Sequence, residues 1–247
     1  MPSYAPPLTE YEFVVRQFLH LGMQGPCHED MPGYASADLD VLPDFLRAAA
    51  ELCSGVVQPL NQIGDKQGCR WVDGSVKTPE GFKAAYAEVA SGGWIGLNFP
   101  REQGGQGLAG VFTQIFSEML CSANMAFSGY VELSEAVMAA LLAYGSPEQQ
   151  RTYLEPLVAG RWTGAMHLTE PQAGSDLRLI SVRAEAAAEG DGSYRLHGSK
   201  TFITNAEHDL AENIDHLVHA RVPGQPEGSR GLSVFIVPKY LPDAQGR

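Results

Sequence analysis

One stretch of this sequence, MHLTEPQAGSDLRL at residues 166–179, places chemically capable residues around a sharp change of direction. It runs from an apolar start into a Thr-Glu-Pro corner, then through a Gln-Ala-Gly-Ser turn into a renewed alternation. Pro171 removes one backbone donor from a sheet ladder and disfavours helical angles at Glu170. The pattern therefore predicts that one strand ends here and another begins, with backbone amides and hydroxyls left at the corner.

Those amides and hydroxyls are suited to holding a ligand. Gly174 can take a positive φ and lets a ligand approach the backbone closely. The hydroxyls of Thr169 and Ser175 can donate a hydrogen bond to a phosphate or to a carbonyl oxygen. This chemistry favours binding of a polar ring edge and a phosphate rather than nucleophilic attack. An ordinary corner between two strands is the alternative.

A second stretch, GSKTFITNA at 198–206, strengthens the ligand interpretation. On a strand, Phe202 and Thr204 would lie on one side and Ile203 on the other. An aromatic ring two residues from a hydroxyl can cover a planar ring and hydrogen-bond its edge. The alternative is a half-buried strand with one filled core position. Asn205 could bend the end of this strand, because asparagine tolerates left-handed backbone angles.

The elements around both stretches change their period near Gly160. Before it, apolar residues recur at helical spacing, and two sites carry helix-start signals. Helices are predicted at 8–22, 42–60 and 108–123, after Thr78-Pro79 and after the capping box that begins at Ser146, with a loop at 23–38. After Gly160, apolar and polar residues alternate, as they do in half-buried strands. Strands are predicted at 180–185, 194–196, 201–205, 216–222 and 232–238, with a turn at 189–193.

These two periods predict an α+β protein with two domains. An N-terminal extension and loop (1–38) precede an all-α helical domain (39–162), and a β-domain (163–247) follows, each domain of ordinary size.

Charge and composition argue against several classes of protein. The chain has 247 residues, 44% of them hydrophobic, and a net charge of −12, whereas a nucleic-acid surface needs a basic stripe. No apolar run approaches the roughly 20 residues of a membrane helix, and the acidic, proline-containing N-terminus differs from a signal peptide. The four cysteines have no CxxC spacing, so reduced thiols in a cytoplasmic protein are expected. His216 and His219 would point to opposite faces of a strand, and no metal site is expected.

Three stretches together resemble the acyl-CoA dehydrogenase family: 145–179, which begins YGSPEQQ and contains MHLTEPQAGSDLRL, 198–206, and GGWIGLNFPREQGGQGL at 92–108. The opening MPSYAPPLTEYEFVV resembles the additional N-terminal segment of the branch that includes enzymes of the 3-methylmercaptopropionyl-CoA dehydrogenase type. The likeness covers nearly the whole chain. It implies a helical N-terminal domain and a β-barrel middle domain, in agreement with the change of period, and no counterpart of the family's C-terminal helical bundle.

The resemblance also implies FAD. The positions that match the family's cofactor contacts are Met166, Leu168, Thr169, Gly174, Ser175, Phe202 and Thr204. The first three lie on the strand along the flavin, the next two belong to the turn at the pyrophosphate, and the last two flank the ring and reach toward its N5. Many relatives have tryptophan where this chain has Phe202, and Met166 replaces a frequent aromatic. Ser175 and Arg178 are expected to contact the CoA substrate, Arg178 through a phosphate.

Family members oxidise an acyl-CoA thioester to the 2,3-enoyl-CoA: a carboxylate removes the α proton as the β hydride passes to flavin N5. The resemblance implies an acyl-CoA substrate, electron-transfer flavoprotein or another electron acceptor as partner, and a homo-oligomer when the protein is complete. The family's base is a glutamate of the C-terminal domain. Glu170, Glu132 and Glu135 do not match it; a structural role is expected for the first and solvated helix faces for the other two. We therefore assign no catalytic residue.

Three interpretations follow. The chain is a piece of a complete dehydrogenase, or one subunit of a split enzyme in which a separate chain supplies the C-terminal domain, or a non-catalytic flavin or acyl-CoA binding module with a regulatory or scaffold role. Without the C-terminal domain, apolar faces of the helical domain should be exposed, and flavin should be held weakly or not at all.

Overall fold

A helical part and a sheet follow one another in the computed structural model, which describes residues 4–20, 39–188, 190 and 192–242. The helices are α1 (Leu8–Phe13), α2 (Leu42–Glu51), α3 (Gln58–Gln67), α4 (Phe82–Ser91), α5 (Gly110–Tyr144), α6 (Pro147–Gln149) and α7 (Glu155–Val158). The strands are β1 (Arg70–Val72), β2 (Ser75–Lys77), β3 (Trp162–His167), β4 (Arg183–Ala186), β5 (Tyr194–His197), β6 (Asn213–Arg221) and β7 (Leu232–Pro238). The predicted α+β class is confirmed, since these α-helices all precede the first strand of the main sheet.

Several predicted helices form with changed bounds: the helix predicted at 8–22 covers 8–18, and the one predicted at 42–60 is longer. Short π-helical segments continue α1 through 14–18 and join α2 to α3 through 52–57, so the 42–60 prediction becomes a helical stretch over 42–67. The capping box is confirmed, because the Ser146 hydroxyl accepts from the Gln149 amide while the Gln149 side chain accepts from the Ser146 amide. Gly22 and the loop predicted at 23–38, with Cys27, lie outside the described residues.

The start predicted for α4 is wrong. The helix begins at Phe82, after Gly81 in a left-handed conformation with φ of 85°. Thr78 caps nothing; its hydroxyl and its amide instead donate to Asp209 Oδ1 at 2.8 and 3.1 Å. The cap-like Thr-Pro pair thus ties the short β1–β2 hairpin to the loop before β6.

Helix α5 is much longer than the predicted 108–123 segment, because it continues to Tyr144. Its regular geometry is interrupted at Asn124, with φ of −161° and ψ of 94°. The side-chain oxygen of Asn124 accepts a hydrogen bond from the Phe127 amide at 3.1 Å, as an N-cap does. A second helical segment is therefore capped inside what is nominally one helix, and it changes direction at the kink.

Among the described residues, α5 is long and apolar enough to cross a membrane by length and composition alone. This differs from the sequence-based expectation that no apolar run approaches that length. The buried face of α5 supplies the centre of the core, including Phe112, Phe116, Met119 and Val137. Core helices of folded domains pass the same test of length and composition, so the result carries no membrane assignment.

The main sheet has five strands. Four of them follow the order β3-β6-β4-β5, and the fifth, β7, also pairs with β6. β3 runs parallel to β6 with Trp162 opposite Asn213, and β7 runs antiparallel to β6 with Pro238 opposite Asp215. β4 and β5 form an antiparallel hairpin, and β4 meets the end of β6 through a single pair. The predicted strands at 194–196, 216–222 and 232–238 are confirmed with small changes of bounds.

One predicted strand is wrong. Residues 201–205 form a turn in which Phe202 and Asn205 have left-handed φ angles of 56° and 55°. The strand pattern failed here because a left-handed residue takes the chain out of extended geometry whatever its β-propensity. Asn205 has the left-handed angle that was expected of it, but the bend is not confined to the end of a strand: the whole 201–205 segment is a turn.

A single apolar core joins the helices to the sheet. Trp162, Leu210 and Leu217 from the sheet region belong to the same buried cluster as the helical residues, whereas a second, smaller cluster lies around Val182 and Ala220. The helical part and β3 with β6 are thus packed as one body, which fixes the corner at 168–175 relative to α5.

Candidate functional site

The corner after β3 is a tight turn that leaves Gly174 and Ser175 exposed. Glu170 and Ala173 exchange backbone hydrogen bonds at 3.0 and 2.9 Å. Gly174 does not take the positive φ that its type allows, but a Cβ atom there would meet nothing within 4 Å. Ser175 is exposed, and its hydroxyl makes no hydrogen bond to the part of the chain that the structure describes. The turn therefore offers an open backbone and a free hydroxyl.

The 201–205 turn lies beside the end of this strand. The Thr201 amide donates to the Thr169 carbonyl at 3.0 Å. Phe202 is 90% exposed, although it is a large apolar side chain. Thr204 is exposed too, and within residues 39–188 and 192–242 its hydroxyl finds no partner. The two predicted cofactor segments are thus brought together, and their chemically useful side chains point away from the core.

Helix α5 forms a third wall of this region at Gly129. A Cβ atom on Gly129 would stand 3.1 Å from Asn205 Nδ2 and 3.9 Å from Thr204 Cγ2. A side chain there would push the turn away, so glycine lets the helix approach the 201–205 segment closely. The sequence analysis did not single out Gly129, although a glycine inside an otherwise helical pattern is a signal of such a close approach.

Glu170 is a buried hub of hydrogen bonds rather than a free carboxylate. It is 2% exposed and accepts from Lys200 Nζ at 2.9 Å, Ser181 N at 2.8 Å, Ser181 Oγ at 2.7 Å, Val182 N at 3.1 Å and Gln172 Nε2 at 2.6 Å. Burial alone would raise its pKa, but the bonds from Lys200, Ser181 and Val182 outweigh it and lower the pKa to about 2. The carboxylate holds the corner together, in line with the structural role expected from the sequence.

Arg178 is not free to meet a phosphate in this structure. Its guanidinium donates to Asp176 at 2.7 and 2.8 Å, and these bonds lower the pKa of Asp176 to about 2. It borders an open groove of about 600 Å³ that also includes Arg221 and Glu227. Arg221 donates to the carbonyls of Ile180, Gly228 and Arg178. The Asp176 pair uses two of the five guanidinium donors and offsets the positive charge of Arg178, and the contact between Arg178 and a phosphate stays a prediction.

A pair of half-buried imidazoles lies at the end of β3, where this strand pairs with β6. His167 Nε2 and His216 Nδ1 are 2.8 Å apart. Burial lowers the pKa of both rings to about 4, assisted for His167 by His216 and Lys200 and for His216 by Lys239. His219 lies on the other face of β6, as the strand pattern predicts. No group of three metal-ligating side chains occurs in the described ranges.

A third imidazole gives a testable pH dependence. His208 is 2% exposed, its Nδ1 accepts from the Leu210 amide, and its Nε2 lies 3.0 Å from Thr163 Oγ1. Burial lowers its pKa to about 4 from 6.5. Its stabilising effect is therefore complete above pH 6.5 and is lost as the pH falls toward 4, by up to about 1.4 kcal/mol per pH unit.

We expect His208→Gln to flatten the acid side of the stability profile. The measurement is the free energy of unfolding in urea for wild type and variant between about pH 7 and pH 4. The difference between the two proteins should shrink as the pH falls. A constant difference would show that His208 takes up its proton equally well in the folded protein.

Two glutamates of α5 are not on a solvated face, contrary to expectation. Glu132 is half-buried and accepts from Ser117 Oγ at 2.6 Å and from Cys121 Sγ at 2.8 Å. Glu135 is also half-buried, and burial followed by the charge of Glu132 raises its pKa to about 7. The sequence pattern gives no sign of these contacts, because the Glu132 partners Ser117 and Cys121 lie 15 and 11 residues earlier in the chain.

Two family models match the chain: the acyl-CoA dehydrogenase N-terminal domain over residues 46–161 and the acyl-CoA dehydrogenase middle domain over 165–246. The chain belongs to the acyl-CoA dehydrogenase family. It is 43% identical, over 97% of its length, to the 3-methylmercaptopropionyl-CoA dehydrogenase of Ruegeria pomeroyi, and covers 40% of that protein. The branch suggested by the N-terminal segment is thus supported, and the chain spans about two fifths of the length of this family relative.

Solved structures of family members have the same fold. Butyryl-CoA dehydrogenase from Megasphaera elsdenii matches 82% of this chain at 25% identity with a TM-score of 0.67, and 49% of that enzyme is covered. The FAD complex of PigA matches 80% of this chain at 26% identity with a TM-score of 0.63, and 47% of it is covered. The resemblance read from the three sequence stretches is therefore confirmed.

Proposed function

We propose that this chain forms the FAD-binding portion of an acyl-CoA dehydrogenase that oxidises an acyl-CoA thioester to the 2,3-enoyl-CoA. Family membership supports the reaction class, and the FAD complex of a relative with the same fold supports the cofactor. Electron-transfer flavoprotein or another acceptor would reoxidise the flavin. None of Glu132, Glu135 and Glu170 matches the base of the family, so the base is expected from another part of the enzyme, on the same polypeptide or on a separate one.

The observation that carries this proposal is the free state of the predicted cofactor contacts. The hydroxyls of Thr169, Ser175 and Thr204 have no hydrogen-bond partner among the described residues, and Phe202 is 90% exposed. Because water solvates exposed hydroxyls at no cost to the fold, these groups remain available to donate to a ligand, next to an aromatic ring that the fold does not bury. Their open presentation fits a planar ring with a polar edge and a diphosphate tail.

Each residue has a defined task in this arrangement. Met166 and Leu168, half-buried at the end of β3, line the strand against which the flavin would lie, and the Phe202 ring would pack on a face of the flavin. Thr204 would hydrogen-bond the polar edge of the ring, while the exposed amides at Gly174 and the Ser175 hydroxyl would hold the pyrophosphate. Bound there, FAD would supply the acceptor for the β hydride of the substrate.

The proposed function is tested on the protein as its gene encodes it, and on the 247-residue chain alone and mixed with any separate polypeptide that supplies the base. A flavin absorbance band that bleaches when an acyl-CoA is added is expected for the complete enzyme. Retained flavin with no bleaching by any acyl-CoA would favour a non-catalytic binding module. Absence of flavin from the complete, FAD-supplemented protein would refute the proposal.

Replacing Phe202 by alanine is expected to weaken FAD binding without lowering stability. Stacking of an aromatic side chain on a planar base contributes about 1–3 kcal/mol in other complexes, which corresponds to roughly a five- to hundredfold change in Kd. Phe202 buries little surface in the protein itself, so the melting temperature should hardly change. Flavin titration and thermal unfolding measure the two effects.

The matched control is Phe18→Ala, because Phe18 is also a highly exposed aromatic, 75% exposed at the end of the N-terminal helix. It should leave the Kd for FAD unchanged. Equal Kd values for the Phe202 variant and wild type would remove Phe202 from the site.

A further inference from the structure

Two buried charges join the segments that the proposed cofactor site uses. Lys200 Nζ donates to the Leu168 carbonyl at 3.0 Å and to Glu170 Oε1 at 2.9 Å. The side chains of Lys200 and Glu170 are 8% and 1% exposed. Lys200 immediately precedes the 201–205 turn, while Leu168 and Glu170 lie at the end of the β3 strand. The buried ion pair therefore links the two segments on their buried side, away from the exposed Phe202 and Thr204 side chains.

The turn that this pair anchors is in a conformation that needs support. Phe202 has a φ of 56°, where a bulky side chain is strained, whereas asparagine tolerates the similar φ of 55° at Asn205. Such strain persists only when the surrounding structure over-determines it. Burial cannot be the compensation for Phe202, which is 90% exposed.

Contacts on both sides of the turn hold it in this conformation. On one side are the Lys200 bonds and the hydrogen bond from the Thr201 amide to the Thr169 carbonyl. On the other side, Asn205 packs within 3.1 Å of the position a Cβ would take on Gly129. An aromatic ring is thus held in a strained backbone and pointed to solvent, an arrangement that brings nothing to the fold by itself.

We propose that Lys200, fixed by Glu170, is a positioning residue that locks the 201–205 turn to the end of β3 and so presents Phe202 and Thr204 to the flavin. The inference rests on the proposed function for its ligand, but the lock itself is a property of this chain. Lys200 touches neither the flavin nor the substrate; it acts through the backbone of the turn. The positive charge is matched by Glu170, so the lock brings no net charge to the site.

Lys200→Met tests this lock selectively. Glu170 keeps its hydrogen bonds from Ser181, Val182 and Gln172, while the link to the turn is lost. Its buried carboxylate also loses its cation, so the variant is expected to be less stable as well. In the complete protein, hydrogen exchange of the 201–205 amides should accelerate at least about tenfold. The Kd for FAD should rise about 10- to 100-fold, the effect of removing supporting residues around other bound groups.

Two further variants separate positioning from simple stability. Lys200→Arg retains a cation and donors, and should restore much of the exchange protection and FAD affinity that Lys200→Met loses. Arg16→Met is the matched control, because Arg16 also bonds one carboxylate, Glu12, and one backbone carbonyl, Leu39. It should leave both readouts unchanged. If Lys200→Met does not fold, Lys200→Gln, which keeps a shorter donor, is measured in the same way.

The outcomes distinguish this inference from the proposed function. Wild-type exchange at 201–205 and wild-type FAD affinity in the Lys200 variant would overturn the lock and leave the proposed function standing. A wild-type protein that does not bind FAD would overturn the proposed function. The lock would still be tested by comparing hydrogen exchange of the 201–205 amides between wild type and the Lys200 variant. Equal loss of FAD affinity in the Arg16 and Lys200 variants would reduce the effect to general destabilisation and would also overturn it.

Discussion

Replacement of Glu170 by alanine should lower the free energy of unfolding by about 3–5 kcal/mol, the cost of breaking a buried ion pair by removing one partner. The variant leaves Lys200 with a charge that is only 8% exposed and one remaining bond, to the Leu168 carbonyl. It also strips the acceptor from the amides of Ser181 and Val182. Urea unfolding at neutral pH measures the loss.

The pH dependence of this effect has a definite sign. The folded-state pKa of Glu170 is lowered to about 2 from 4.5, so its stabilisation is fully present above pH 4.5 and is lost as the pH falls toward 2. The gap between wild type and variant should therefore be constant above pH 4.5 and close below it.

Glu155→Ala is the surface counterpart. Glu155 pairs with Arg161 at 2.6 Å, but both side chains are substantially exposed, and exposed pairs contribute about 0–1 kcal/mol. A Glu170 variant that loses no more than the Glu155 variant would show that water or other acceptors replace the carboxylate of Glu170.

The sequence predicted the order of elements well because the period of apolar residues is a local property. The alternation of Ile180, Val182 and Ala184 corresponds to three residues that are all at most 3% exposed. The capping box at Ser146 was equally readable, because both of its partners lie within four residues. Chain segments whose conformation is decided by their own residues are accessible in this way.

The predicted site residues were found by resemblance, and the structure adds what positions them. Residues 201–205 read as a strand because Phe, Ile and Thr favour strands, yet tertiary contacts from Lys200 and Gly129 impose a turn. Neither contact leaves a mark in the local pattern, since one partner of each lies more than 30 residues away. The kink at Asn124 was missed for a different reason: its cap is local, three residues from Phe127, but it lies inside an apolar run that reads as one continuous helix.

Asparagine in place of Asp215 should stabilise the protein at neutral pH, by roughly 4 kcal/mol at pH 7 if the carboxyl stays fully dry. Asp215 is on β6, 0% exposed, and neither of its carboxylate oxygens has a hydrogen-bond partner among the described residues. It stands opposite Gly164 and Pro238. A Cβ on Gly164 would come within 2.7 Å of Val137 of α5, so the aspartate faces the seam between the sheet and the long helix.

Burial raises the pKa of Asp215 to about 8 from 3.8. A folded-state pKa above the unfolded value means that the carboxyl costs little below pH 3.8 and destabilises increasingly as the pH rises through 8. Asparagine has the same shape without the charge, so the two proteins should be equally stable near pH 4 and diverge above it. Thermal unfolding across this range measures the divergence.

Asp209→Asn should change the free energy of unfolding at neutral pH in the opposite direction, although Asp209 lies only six residues before Asp215. Burial tends to raise the pKa of Asp209, but the hydrogen bonds from Thr78 and the charge of Lys77 outweigh it and lower the pKa. Its replacement should therefore destabilise at neutral pH and lose that effect in acid. Parallel profiles for wild type and the Asp215 variant would mean that the carboxylate finds a partner in solution, and the seam between sheet and helix would then have to admit water or a cation.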